Sequence, residues 1–211
     1  EMGGLVESQI QQAVYALSLF VENVADVVIE NEHKVNTLEV EIDRELSTII
    51  ARRQPTANDL RLLMAISKAT ANLERAGDEA AKIARMVKSM MTHGGFRALP
   101  SSELRLATEL ASNLLRKSLD AFARLDTATA ITILKEDDLI DKEFDGFVRK
   151  LITYMMEDPR TISSSLDLLF VAKALERIGD HAKNIAELII YIVKGEDVRH
   201  ASIEHIESTI K

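Results

Sequence analysis

Apolar residues recur three and four positions apart at Leu5, Val6, Ile10, Ala13, Val14, Leu17 and Val21, the signature of an amphipathic helix, and the pattern runs to about Glu30. A second helix is expected from about His33 to Arg53, where Gln54-Pro55-Thr56-Ala57-Asn58 breaks the periodicity. A third starts near Asn58 and carries Leu60, Leu63, Ile66, Leu73, Ile83 and Val87 to about Met91. Gly94, Gly95 and Pro100 then fall within a few residues, the strongest punctuation in the chain.

Beyond that punctuation the sequence repeats. The segment "LERAGDEAAKIARMV" at 73–87 aligns with "LERIGDHAKNIAELI" at 175–189, identical at eight of fifteen positions with an offset of 102. Upstream, Ile42-Asp43-Arg44-Glu45-Leu46 matches Ile140-Asp141-Lys142-Glu143-Phe144 at an offset of 98, and the four-residue difference fits a longer turn around "EDPRTISSS". The expected fold is therefore all-α: two tandem antiparallel three-helix bundles, a duplicated repeat related by a pseudo-twofold axis. The boundaries read from the pattern are 1–92 for the first repeat, 93–101 for a linker, 102–194 for the second repeat and 195–211 for a C-terminal tail. The turns near Pro55 and Pro159 are expected at one end of the molecule.

Composition supports helices: aromatic residues are 4%, tryptophan is absent, and eight glycines and three prolines leave little for strands. With no cysteine there is neither a disulfide nor a thiolate metal site, and the setting suggested is cytoplasmic. A formal charge of -8 repels phosphate backbones, so no nucleic acid is expected as a partner. The longest nearly apolar run, Leu188 to Val193, is far below the roughly 20 residues that cross a bilayer, so direct membrane insertion is not expected.

The candidate chemistry lies in acid-x-x-x-Asp pairs, which occur at matched places: Glu39 with Asp43, Glu74 with Asp78, Asp137 with Asp141, and Glu176 with Asp180. Carboxylates four apart on a helix repel by about 0.2 to 0.5 kcal/mol. Each half carries one pair on its middle helix and one on its last, and antiparallel neighbours bring four carboxylates across one groove. Oxygen-rich grooves of this kind suit hard or borderline divalent cations. Gly77 and Gly179 precede the second acid of the last-helix pairs and point to a close approach of another backbone or a ligand, close helix packing being the simpler account.

In the first half Lys82 and Arg85 follow Asp78 at i+4 and i+7 and are placed to neutralise the acids. The corresponding residues of the second half are Asn184 and Glu187, both oxygen donors, with Asp145 below Asp137 and Asp141. Metal is therefore expected preferentially in the second half. Arg75 and Arg177 are expected to form surface ion pairs, and His181 to be a surface histidine.

The duplicated three-helix pattern, "LERAGDEAAKIA", "LERIGDHAKNIAE", "IIARRQPTANDLRLL" and "YIVKGEDVRH" resemble the PhoU family of bacterial phosphate-signalling regulators, over nearly the whole chain. The resemblance implies a cytoplasmic, non-enzymatic adaptor. It implies negative regulation of the phosphate-starvation response, with the ATPase subunit of the phosphate ABC transporter and a sensor histidine kinase as partners. It also implies metal clusters at Glu39, Asp43, Glu74 and Asp78 and at Asp137, Asp141, Glu176 and Asp180, with Fe, Mn, Mg, Zn or Ca as the divalent metal. Broad, partly apolar helix faces suggest a homodimer. Two alternatives are a ferritin-like di-iron carboxylate protein and a metal-free helical scaffold. The first needs Glu-x-x-His on two facing helices, and only Glu30 to His33 has that spacing, at an expected helix junction.

Overall fold

A computed structural model describes residues 1–93 and 104–210; of the expected linker at 93–101, His93 ends a helix and the rest lies outside the described residues. Three long helices form the first repeat: α1 (Met2–Leu19), α2 (Glu22–Arg53) and α3 (Ala57–His93). Three more form the second: α4 (Arg105–Arg124), α5 (Thr127–Glu157) and α6 (Ile162–Lys194), with a single 3-10 turn at Pro159–Thr161 before α6. No strand occurs among the described residues.

The periodicity of α1 becomes its buried face, with Val6, Ile10, Ala13 and Leu17 all in the core. Each Val, Leu or Ile sealed in this way is worth roughly 1.5–3 kcal/mol. The first helix is nevertheless shorter than its pattern. It stops at Leu19, Phe20 turns left-handed at φ 51°, and α2 begins at Glu22, so Asn31, Glu32 and His33 lie inside α2 rather than at a junction. Leu125 (φ 53°) makes the equivalent break between α4 and α5. Neither break carries glycine, whose absence hides the left-handed residue from a sequence reading.

The two bundles meet along α3 and α6. Both helices are rich in small buried residues, with Ala65, Ala69, Ala76, Ala80, Ala81 and Ala84 on α3 and Ala172, Ala174, Ala182 and Ala186 on α6. The pair runs antiparallel: Arg61 reaches Tyr191 near the end of α6, Glu79 meets Arg177, and Lys82 lies over the Phe170 ring. The Pro55 and Pro159 turns therefore sit at opposite ends of the molecule, not at the same end as expected. The twofold relation runs across α3 and α6 and so reverses the second repeat.

Both glycines serve helix packing. A Cβ on Gly179 would lie 2.7 Å from Ile140 Cδ1 of α5, and one on Gly77 3.1 Å from Gln9 Oε1 of α1 and 3.4 Å from Val35 Cγ1 of α2. Residues 195–210 fold back on the second bundle. Gly195 (φ 80°) caps α6, Val198 and Ile206 are buried, and α7 (Ile203–Ile210) is held to α5 by Lys135 and Glu207 at 2.5 Å.

Candidate functional site

Each half gathers its four predicted carboxylates between its middle and last helices. In the first half Glu39 and Asp43 on α2 face Glu74 and Asp78 on α3. Burial pushes the Glu74 carboxyl up to about 7, reinforced by the adjoining Asp78 and Glu39, and Glu74 hydrogen-bonds to Asp78. Burial also raises Glu39, with Asp43 and Asp78 adding to the effect. Asp43, on the open side, accepts a hydrogen bond from Ser67 Oγ at 3.0 Å.

In the second half Asp137 and Asp141 on α5 face Glu176 and Asp180 on α6. Burial and the surrounding Glu176, Asp137 and Asp141 charges lift Asp180 to about 6. Two ammonium groups enter this cluster: Lys183 Nζ stands 2.8 Å from Asp137, which is only 2% exposed, and Lys173 Nζ stands 2.6 Å from Glu176 Oε1.

The expected asymmetry between the halves is thus reversed. Lys82 turns from Asp78 to Glu79 at 3.4 Å and to the Phe170 ring, and Arg85 reaches Glu32 at 3.0 Å. Neither forms an ion pair with the first quartet. Its one nearby cation is Arg75, whose charge lowers Glu39 and Glu74 from a distance and which makes no ion pair among the described residues. Lys82 finds its acid at i−3 on α3 itself, and Arg85 finds one across on α2.

The supposed further donors of the second half face a cleft that adjoins both quartets. Asn184 and Glu187 line this cleft of about 780 Å³ at the α3–α6 crossing together with Asp78 and Asp180, one acid from each quartet, and with Arg75, Glu79, Arg177 and His181. Asn184 Nδ2 donates to Asn72 Oδ1 at 3.0 Å, and Asn72 Nδ2 donates to Lys68 O at 2.8 Å, which fixes the orientation of that amide. His181 Nδ1, 3.1 Å from the same Asn72 Oδ1, is therefore the protonated nitrogen. His181 is not a surface histidine: burial pulls it down to about 4, so the ring is neutral. Burial raises Glu187 to about 7 against the opposing charges of Lys183 and Arg199.

Arg177 also departs from expectation, since its Nη1 crosses to Glu79 Oε1 at 2.9 Å and ties the two bundles together. Glu79 is 8% exposed and was not legible as a site residue, because its matched residue is His181 and the repeat carries no shared signal there. Among the described residues no three carboxylates or imidazoles already stand close enough to close on one metal ion. The donor chemistry of the first quartet fits a hard divalent cation, since a carboxyl raised to about 7 by burial and by the adjoining Asp78 and Glu39 is one that a cation would stabilise in its ionised form. The second quartet fits less well, because Lys183 and Lys173 would have to be displaced.

Comparison with known proteins covers both repeats. The family model described as PhoU domain matches residues 1–87 and 104–189. A "Phosphate-specific transport system accessory protein PhoU homolog" from Burkholderia sp is 50% identical over 208 residues, which is 98% of this chain and 88% of the relative. The accessory protein PhoU of Escherichia coli K12 is 46% identical over 209 residues, 99% of this chain and 86% of the relative. Among solved structures, PhoU from Pseudomonas aeruginosa superposes with a TM-score of 0.89 at 45% identity, covering 92% of this chain and 93% of that one. The phosphate transport system regulatory protein PhoU from Streptococcus pneumoniae superposes at 0.85 with 28% identity, covering 93% and 92%.

Proposed function

Because the chain belongs to the PhoU family, we infer that it is an accessory protein of phosphate-specific transport that regulates without catalysis. It acts as a cytoplasmic adaptor between the ATPase subunit of a phosphate ABC transporter and a sensor histidine kinase, and it restrains the phosphate-starvation response. The observation that carries this reading is the match of the family model to both repeats, joined to relatives named for phosphate transport over essentially the full chain. No helix of the described residues is long and apolar enough to cross a membrane, which fits a partner of the transporter rather than a part of its channel.

Metal binding is assigned to the acidic quartets, with Glu39, Asp43, Glu74 and Asp78 as the principal set and Asp137, Asp141, Glu176 and Asp180 as the weaker one. A bound divalent ion supplies positive charge that neutralises facing acids. The chain's own contribution is to hold α2 against α3 so that the carboxylates share one groove. Self-association as a homodimer completes the reading, and sedimentation over a concentration series checks it; one monomeric species throughout would remove that part.

The regulatory reading is tested in the cell. Deletion is expected to leave a starvation reporter active at high phosphate, because an unrestrained kinase keeps signalling. A reporter that stays silent at high phosphate in the deletion strain overturns it.

A further inference from the structure

The hairpin α5–α6 carries on its outer groove an acidic end and an apolar end. Its register is set by three contacts: Lys183 with Asp137, the Gly179 backbone against Ile140, and Lys173 Nζ over the Phe144 ring at 5.3 Å. Continued towards the Pro159 turn, the same register sets Ile152 against Leu166 and Met156 against Ile162. All four are exposed, Met156 to 78%. Ile162 lies 18 residues before Asp180 on α6, five whole turns at 3.6 residues per turn, so the two point the same way about 27 Å apart. Ile152 follows Asp141 by 11 residues, close to three whole turns, and so shares its face.

The duplication isolates what is special here. In the first half Leu60 and Met64 take the places of Ile162 and Leu166 and are also exposed. Opposite them, however, α2 has ended: it stops at Arg53, the residue matched to Leu151, with Gln54 as its cap, and α3 begins at Ala57, whereas α5 continues to Glu157. The additional helical segment, laid over a repeat that otherwise keeps its pattern, sets exposed Ile152 and Met156 beside Ile162 and Leu166, where Leu60 and Met64 have no helix beside them.

We propose that the outer α5–α6 groove is a docking site for an amphipathic helix of a partner protein, about five turns long, apolar at one end and basic at the other. Its apolar end packs on Ile152, Met156, Ile162 and Leu166. Its Lys or Arg residues meet Asp141, Asp145, Glu176 and Asp180 in place of the divalent ion proposed for this weaker quartet, beside Lys173 and Lys183, which pair with Glu176 and Asp137. The bound helix becomes the fourth member of a three-helix bundle, which is the way helices bury an apolar stripe of this width. The charge pattern selects a basic partner over a second copy of this chain, whose formal charge is -8. This rests on the adaptor reading only for the existence of such a partner in the cell. The groove itself is tested on purified protein, apart from the reporter.

The probe is a fluorescein-labelled synthetic helix with leucines along one face of its first half and lysines along the same face of its second half, titrated with the full chain and followed by anisotropy. Ile152→Ser/Leu166→Ser is expected to weaken binding by about tenfold or more, as loss of central apolar anchors does. Asp141→Asn/Glu176→Gln should weaken it less and flatten its salt dependence, and a probe with glutamates for lysines should not bind. Leu60→Ser/Met64→Ser in the first half should leave affinity unchanged. Far-UV circular dichroism verifies that the variants fold, and hydrogen exchange on the wild-type complex should show protection confined to 141–156 and 162–180. Unchanged affinity in Ile152→Ser/Leu166→Ser, equal loss in the first-half pair, or protection elsewhere overturns the proposal. So does a chain that Ile152→Ser/Leu166→Ser converts from dimer to monomer while the probe fails to bind, since the groove is then filled by a second copy.

Discussion

At the scale of single residues, the buried acids decide how the protein responds to pH. Glu187 is 9% exposed and its carboxyl is raised to about 7. A raised carboxyl means that the folded state holds the proton over a range in which the unfolded chain has already lost it. The stability penalty is therefore absent below about pH 4, grows as pH climbs to 7, and is fully present above that. Glu187→Gln should stabilise the protein by about 1–3 kcal/mol at pH 8 and have little effect near pH 4.5, read from thermal melts of both proteins at each pH. His181 works in the opposite direction below its ordinary range, so the comparison has to be between the two proteins at one pH. A variant with no gain at pH 8 would show that Lys183 and Arg199 already compensate the charge. The same residue-scale argument sets metal preference. Calorimetric titration with Mn(II) should find that Glu74→Gln/Asp78→Asn loses more binding than Glu176→Gln/Asp180→Asn, because ammonium groups already occupy the second quartet. Greater loss in the second-half variant, or none in either, rejects that order.

At the scale of elements, the repeat made the glycines conspicuous but not unequal. The Cβ of alanine at 179 would meet Ile140 at 2.7 Å, and Ile140 is itself fully enclosed, so α5 or its side chain must move. Overpacking of this kind costs about 1–3 kcal/mol, against about 0.5–1 kcal/mol recovered from alanine's better helix propensity. Gly179→Ala should thus destabilise by about 1–2 kcal/mol in urea unfolding, while Gly77→Ala, whose nearest neighbours are a buried Gln9 carbonyl at 3.1 Å and Val35 at 3.4 Å, should destabilise by less. Equal effects would reject close packing as the reason for the difference. Helical periodicity, the duplication and all eight acids were legible because each is written in local spacing. The breaks at Phe20 and Leu125 were not, since a left-handed bulky residue is imposed by packing of the flanking helices and has no turn residue to announce it. The ion pairs were misread for a related reason: Lys82 and Arg85 have near neighbours in sequence, yet their partners Glu79 and Glu32 were chosen by helix rotation and by a second helix.

At the scale of the whole molecule, the halves are joined along α3 and α6, with one ionic crossing among the described residues. Arg177 on α6 and Glu79 on α3 meet at 2.9 Å beside the central cleft, and Lys82 approaches the same carboxylate at 3.4 Å. The twofold relation would set Arg75 against residue 181 in the same manner, but that residue is a neutral histidine, so the crossing is single. Removing the guanidinium leaves a buried carboxylate with only the Lys82 ammonium at 3.4 Å, whereas removing both charges leaves neither partner of the crossing unmet. Arg177→Met should therefore destabilise by about 1–2 kcal/mol, less than a fully buried pair because Arg177 is half exposed. Glu79→Gln/Arg177→Met should recover much of that loss, and a double-mutant cycle should return a coupling well above zero. Because the pair spans the bundles, hydrogen exchange in the single variant should rise along both α3 and α6 around the cleft rather than in α6 alone. Additive single and double effects, or exchange confined to α6, would mean that the packing of α3 on α6 holds the two repeats together without the ionic crossing.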